Sequence, residues 1–285
     1  MIDDAEVLKS VQVEVAVGVG SYEQVVQALE EQWETDEGIA ELVDGEFARH
    51  LAEQEEWAEV TDCDKLTAAF RDLDVAGITA REHFSCCQRC GVDEINEQGV
   101  DRGYVFYHFQ DVRSAAAEGG GVCLSYTPEQ RIGEEIVDTL RGHGLEVDWD
   151  GSTKTRIEVR VTWQRRRHGR RAAHPSRAEG PAAELRAIYD DGPMEPMTLQ
   201  GCLDELMRMR PMDGNFMVFQ APSGVSFQVM WNEGPTLWGE WPDPSLKGSR
   251  GRNVSLPEAR EMITILAREG RSGADDLGGT EFAPW

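Results

Sequence analysis

Between Gln164 and Pro196 the chain stops looking like packed protein. Arg165-Arg166-Arg167-His168-Gly169-Arg170-Arg171 is followed by prolines, alanines and glycines without an apolar period, which is the composition of a linker. This break constrains the fold more than any other feature, because it divides 285 residues into stretches near the common domain size of about 100–150 residues. Two cores are expected, over residues 1–163 and 197–285, joined by a basic linker over 164–196. The arginine strip could meet RNA or an acidic surface, including the chain's own N-terminal layer. Lacking interleaved aromatics, it is read as a solvated linker.

Charge sharpens the division. Residues 1–80 hold 21 acidic and 4 basic side chains, whereas residues 151–180 hold 9 basic and 2 acidic. The net charge of −25 repels phosphate and membrane surfaces and favours a basic protein partner. No apolar run approaches the roughly 20 residues of a membrane span. The acidic N-terminus, Met1-Ile2-Asp3-Asp4-Ala5-Glu6, lacks the pattern of a secretory signal. A cytoplasmic, reducing location is therefore expected, with cysteines as thiols or metal ligands rather than disulfides.

The first eighty residues read as helices. Ser21 with Gln24 forms a capping box ahead of Val25 and Leu29; Ile39, Val43, Phe47 and Leu51 follow helical spacing; a third helix is capped near Thr61 or Asp62 and carries Leu66, Phe70 and Leu73. Residues 7–17 fit both a strand and a helix face. From Ile78 the period becomes two, so a short strand delivers the chain into the cysteine cluster, and a short helix follows Cys90. Strands are expected at Tyr104–Phe109 and Val122–Tyr126, then a helix opened by Thr127-Pro128-Glu129-Gln130 and a hairpin reaching Trp163. The second part reads as a helix from Thr198, a three-strand meander turning at Pro222-Ser223-Gly224 and Asn232-Glu233-Gly234, a helix from Ser255, and a tail ending at Trp285. The fold class is α+β: a helical layer with a small mixed sheet, then a separate helix, antiparallel meander and helix.

Three of six cysteines lie between residues 86 and 90, in His83-Phe84-Ser85-Cys86-Cys87-Gln88-Arg89-Cys90-Gly91. Cys-x-x-Cys followed by glycine has the form of a zinc knuckle, with Gly91 expected at positive φ. Cys87 and Cys90 are the best-spaced pair. His83 or Cys86 would be a third ligand, and Cys63, His108 or Cys123 a fourth. One zinc ion is the cofactor this pattern implies. A redox-active or regulatory thiol and an inert buried cysteine are the other readings; the thiol reading requires Cys87 near a helix N-terminus, and Gly91 and the missing strand–helix context of thioredoxins count against it. His108 and Asp111, three residues apart, are read as a half-buried imidazole and a helix cap rather than a catalytic pair. No nucleophile elbow, zinc-protease motif, phosphate loop or dinucleotide fingerprint is present, so no nucleotide cofactor is expected.

The stretches Thr61-Asp62-Cys63-Asp64-Lys65-Leu66, Phe84 to Gly91 and Tyr104-Val105-Phe106-Tyr107-His108 resemble an uncharacterised bacterial family, a domain of unknown function, over about residues 1–163. That resemblance implies one structural unit and brings no activity. The C-terminal pattern is similar to immunity proteins of bacterial toxin systems. It implies a non-enzymatic, protein-binding role. The aromatic residues with flanking Glu240 and Asp243 point to a basic partner meeting an exposed edge near Trp238–Pro242; the alternative is that these tryptophans close the module's own core. The rival is a metal- or thiol-dependent enzyme, or a redox regulator, using the cysteine cluster.

Overall fold

The valines of residues 7–17 form a helix buried on two flanks at once. The computed structural model describes residues 4–97, 102–174, 183–189, 194–209, 214–232 and 237–284. Helix α1 (Asp4–Val17) turns Val7, Val11 and Val15 to an apolar cluster shared with α2 (Tyr22–Trp33) and α3 (Ile39–Gln54). Its Val13 and Val17 enter a second cluster with Leu66, Phe70 and Leu73 of α4 (Asp62–Val75). A helix enclosed on both sides places apolar residues at alternate positions, which is why the same run also reads as a strand. Residues 1–167 and 171–178 form one unit, and residues 168–170 and 179–285 form the other.

The first unit's sheet has the order β1 (Ile78–Arg81), β2 (Gly103–Phe106), β3 (Val122–Tyr126), β5 (Ile157–Arg160), β4 (Glu146–Asp148). Only β1 and β2 are parallel, with Ile78 opposite Gly103 and Arg81 opposite Phe106. Parallel neighbours require a crossover rather than a hairpin, and here the crossover carries the cysteines and helix α5 (Gln88–Glu97). The cluster therefore lies between a strand and a helix, as the local pattern predicts, with α5 starting at Gln88 rather than after Cys90. Helices α6 (Phe109–Glu118) and α7 (Gln130–Gly142) complete the unit. Helix α7 starts later than the Thr127 cap implies, because Thr127 Oγ1 instead accepts the Tyr104 N–H at 2.8 Å and ties the chain to β2.

The arginine strip does not behave as a solvated linker at its start. Arg165 and Arg167 are buried. Arg167 N–H donates to Gln54 Oε1 (2.9 Å), Gln54 Nε2 donates back to the Arg167 carbonyl (3.1 Å), and the Arg167 guanidinium lies 4.3 Å from the Phe47 ring centroid and bonds the Val15 carbonyl at 2.7 Å. Arg166 bonds Asp64 and the Trp57 carbonyl. Of the surfaces considered for the strip, it meets the chain's own acidic helical layer. A local reading misses this because the partners lie more than 100 residues away. Part of the expected linker, residues 175–182 and 190–193, lies outside the described residues.

The same expected linker contains two strands of the second unit, β6 (Leu185–Tyr189) and β7 (Glu195–Met197). With β8 (Phe216–Gln220), β9 (Ser226–Trp231), β10 (Leu237–Asp243), β11 (Gly248–Val254) and β12 (Glu281–Pro284) they form a seven-stranded antiparallel sheet ordered β12-β11-β10-β9-β8-β6-β7, larger than the expected three-strand meander. Helices α8 (Leu199–Arg208) and α9 (Leu256–Glu269) contribute Leu203, Leu206, Met262, Ile263 and Leu266 to the core; a short α10 (Ala274–Leu277) precedes β12. Strand β10 is interior to the sheet, and Trp241 is 3 % exposed and stacked on Phe227 at 4.7 Å. Trp241 is thus a core residue, as the alternative reading has it, and not an edge anchor. Glu233, Gly234 and Trp285 lie outside the described residues. Among the described residues, no helix is long and apolar enough to cross a membrane.

Candidate metal centre

Strand β1 ends at Arg81, and the chain turns sharply before α5. His83 and Ser85 take left-handed backbone conformations, φ 51° and 61°, which cost L-residues on the order of 1–2 kcal/mol each. Backbone bonds to the β2–α6 connection offset that cost. Phe84 N–H donates to the Tyr107 carbonyl at 2.9 Å, and Phe109 N–H donates to the Ser85 carbonyl at 3.1 Å. The Phe84 ring is buried beside Phe106, Tyr104 and Ile95. The turn is therefore held at both faces, and the residues that follow emerge in one direction.

Cys87 occupies the cap of α5, since its carbonyl accepts the Gly91 N–H at 2.9 Å. Gly91 is not at positive φ, contrary to the knuckle reading. It lies in the helix where an added Cβ would stand 2.5 Å from Phe106 Cε2, so glycine allows α5 to sit on the sheet. The sulfurs of Cys86, Cys87 and Cys90 lie within 4.8 Å of one another, with Cys86 exposed and the other two partly exposed. The Cys90 N–H, then the Cys90 thiol, hold the Cys87 thiol below its ordinary pKa, with burial a minor opposing influence. Cys90 is pushed up to about 11, first by its hydrogen bond to Cys86 and then by that to Cys87. Orphan N–H groups at a helix start stabilise a thiolate in the capping position.

The other expected ligands fall outside this converging group, although His108 lines the cleft onto which Cys87 opens. Cys63 is buried in α4, its thiol pushed up to about 11 by burial against the opposing charge of Arg165. His83 stacks on Phe109 at 4.8 Å between centroids. His108 caps α6: its Nδ1 accepts the Asp111 N–H at 3.3 Å, and its Nε2 is 3.2 Å from Asp111 Oδ2. Burial lowers the His108 pKa, partly countered by Asp111. Cys123 sits on β3, where its carbonyl accepts from Arg156, and burial raises its thiol. Among the described residues, Cys86, Cys87 and Cys90 are the group whose ligand atoms converge.

Cys87 opens onto a cleft of about 620 Å³ lined also by Gln88 and Arg89 at the start of α5, His108 and Gln110 at the start of α6, and Arg156. Arg156 is held by both Asp111 carboxylate oxygens, at 3.1 and 2.6 Å.

Beneath the turn lies a set of charges that sequence reasoning missed. Glu82 Oε1 accepts from Tyr107 OH at 2.7 Å, Thr67 Oγ1 at 3.0 Å and Arg165 Nη2 at 3.1 Å. Asp74 accepts from Arg71 at 3.1 Å, Arg81 at 3.2 Å and the Ala80 N–H at 2.8 Å. Burial raises the Glu82 pKa, but Arg165 and Arg71 outweigh it and leave it lowered. No local pattern marks these residues, because their partners come from α4, β1, β2 and the arginine strip.

The fold and the cluster define an α+β domain with three thiols in a strand–helix crossover. The family model described as Domain of unknown function (DUF6891) matches residues 3–167, more than half of the chain, and the chain belongs to that family. The match ends at Arg167, the last buried arginine of the strip. No curated protein and no solved structure matches the chain.

Proposed function

We propose that the N-terminal unit binds one zinc ion through Cys86, Cys87 and Cys90 and serves in metal handling rather than catalysis. The observation that carries this reading is the convergence of three sulfurs on the accessible start of a helix. Tetrahedral zinc with Zn–S near 2.3 Å needs sulfurs about 3.8 Å apart, and side-chain rotation suffices to reach that from the observed spacing. Three soft thiolates suit zinc or Cu(I) better than harder ions. With His108 Nδ1 capping α6 and Cys63 buried in α4, and neither in the converging group, the fourth position is assigned to water or an incoming ligand. A structural site is closed by four protein ligands, so this geometry supports exchangeable rather than structural metal. For the second unit, the excess of 17 acidic over 9 basic side chains in residues 179–285 is what supports a basic protein partner, and Trp241 is not proposed as its anchor.

The reading is tested by metal analysis of protein purified without chelator and by competition titration with a chromophoric zinc indicator. One zinc per chain is expected, with Cys86→Ser, Cys87→Ser and Cys90→Ser each weakening binding at least about tenfold, and Cys63→Ser and Cys123→Ser leaving it unchanged. Chelation should leave the circular dichroism spectrum intact. Unfolding on chelation would restore the structural-knuckle reading, and no zinc uptake by the reduced chain would end both.

A further inference from the structure

We propose that Cys87, when free of metal, is the attacking thiol in exchange with small peptidic disulfides, and that Cys90 resolves the mixed disulfide. The two thiols stand in a Cys-x-x-Cys at the start of a ten-residue helix, with their sulfurs within 4.8 Å, a separation that side-chain rotation can close to a disulfide. Of the three clustered cysteines, Cys87 is the one that lines the cleft. A ligand in that cleft therefore meets Cys87 first, and Cys90 follows from within the helix. This inference concerns the metal-free thiols and stands apart from the zinc reading.

The cleft's lining indicates the kind of disulfide. The cleft is shallow and open to solvent, so its charged lining rather than enclosure would select the ligand. Arg89 and Arg156 supply positive charge, Asp93 negative charge, and Gln88 and Gln110 amide groups. The starts of α5 and α6 both meet the cleft, which adds positive potential where a carboxylate would lie. Asp111 already neutralises Arg156, so Arg89 is the main cation for a ligand carboxylate and Asp93 the counterpart for a ligand ammonium. A zwitterionic peptide disulfide of the glutathione type carries both groups.

In the first step the Cys87 thiolate attacks one sulfur of the disulfide, a Cys87–S–S–R bond forms, the ligand S–S bond breaks, and one RS⁻ leaves and takes a proton from water. In the second, Cys90 loses its proton to water and attacks the Cys87 sulfur. The Cys87–Cys90 bond forms and the second RS⁻ leaves. The small disulfide is reduced by two electrons and the protein dithiol is oxidised by two.

The test uses the full chain, reduced and stripped of metal, then exposed to oxidised glutathione and followed by intact mass and peptide mapping. The wild-type chain should end as a Cys87–Cys90 disulfide. Cys90→Ser should accumulate one glutathionyl group on Cys87, and Cys87→Ser should form no mixed disulfide at that rate. Arg89→Glu should slow the reaction with oxidised glutathione about fivefold relative to bis(2-hydroxyethyl) disulfide. The change is compatible with the fold because an acidic residue suits the first turn of a helix. First modification at Cys86 in the Cys90→Ser chain, or no reaction at all, overturns the proposal; an unchanged ratio for Arg89→Glu overturns the assignment of the ligand class. Zinc uptake by the reduced chain is read separately by indicator titration: uptake without reaction overturns this proposal alone, and reaction without uptake overturns the zinc reading alone.

Discussion

Glu82 and Cys87 are five residues apart, yet the chain uses them in opposite ways. The Glu82 carboxylate is enclosed, its side chain 9 % exposed, and satisfied by Tyr107, Thr67 and Arg165. Cys87 faces a cleft with two other thiols beside it. Two left-handed residues, His83 and Ser85, separate the regions by turning the chain from the sheet interior to the start of α5. The difference teaches that chemical capacity alone does not make a site. Groups whose partners are complete hold the fold, and groups left with open directions can act on something else.

The sharpest way to break this comparison is to remove Glu82. Glu82→Ala leaves Arg165 buried without its carboxylate, while Arg71 keeps Asp74, and breaking a buried pair costs about 3–5 kcal/mol. A urea unfolding midpoint equal to the wild-type value would show that the enclosed charges are not structural.

The next effect is pH-dependent and belongs to the clasp around the arginine strip. His50 Nε2 meets the Arg165 carbonyl at 3.2 Å, and burial first, then the Arg167 charge, lowers its pKa from 6.5 to about 4. The unfolded chain therefore binds the extra proton between those values, so this stability is present above pH 6.5 and lost as pH falls toward 4. The loss amounts to about 3 kcal/mol. Asp74, which burial raises to about 6 against Arg71 and Arg81, acts in the opposite sense, losing stability as pH rises from 3.8 to 6. The difference between wild-type and His50→Gln profiles isolates the histidine, and two parallel profiles would refute the assignment.

Gly91→Ala probes the boundary between the two regions. The new methyl group would meet the Phe106 ring, an overpacking that costs about 1–3 kcal/mol. It should also weaken zinc binding by shifting the start of α5, readable in the same indicator titration. The smallest stability effect is expected for Cys87→Ser in the metal-free chain, within about 0.5 kcal/mol. A larger loss would mean that the thiols belong with the fold-holding groups after all.

Several elements were legible because their signals are local. Ser21 with Gln24, Thr61 with Asp64 and Ser255 with Glu258 all form capping boxes at the starts of α2, α4 and α9. Thr198 caps α8 as expected. Strand β11 was not legible, since Gly248, Gly251 and two arginines make a poor strand pattern. Its glycines leave room for cross-strand aromatics: an added Cβ would stand 2.5 Å from Trp238 at Gly251 and 2.3 Å from Phe282 at Gly248. The backbone there is specified by neighbouring rings rather than by its own side chains.

By itself the sequence determined the α+β class, the starts of α2, α4, α8 and α9 and the grouping of three cysteines, because each depends on residues within a few positions of one another. Tertiary structure alone decided that Cys63, His83 and His108 do not join those thiols, that Arg165 and Arg167 leave solvent for the helical layer, and that Cys87 caps a helix beside an open cleft. These outcomes depend on which distant residues complete a hydrogen bond or ion pair. Burying a charge is tolerated only where such partners converge, and that convergence is a property of the packed chain.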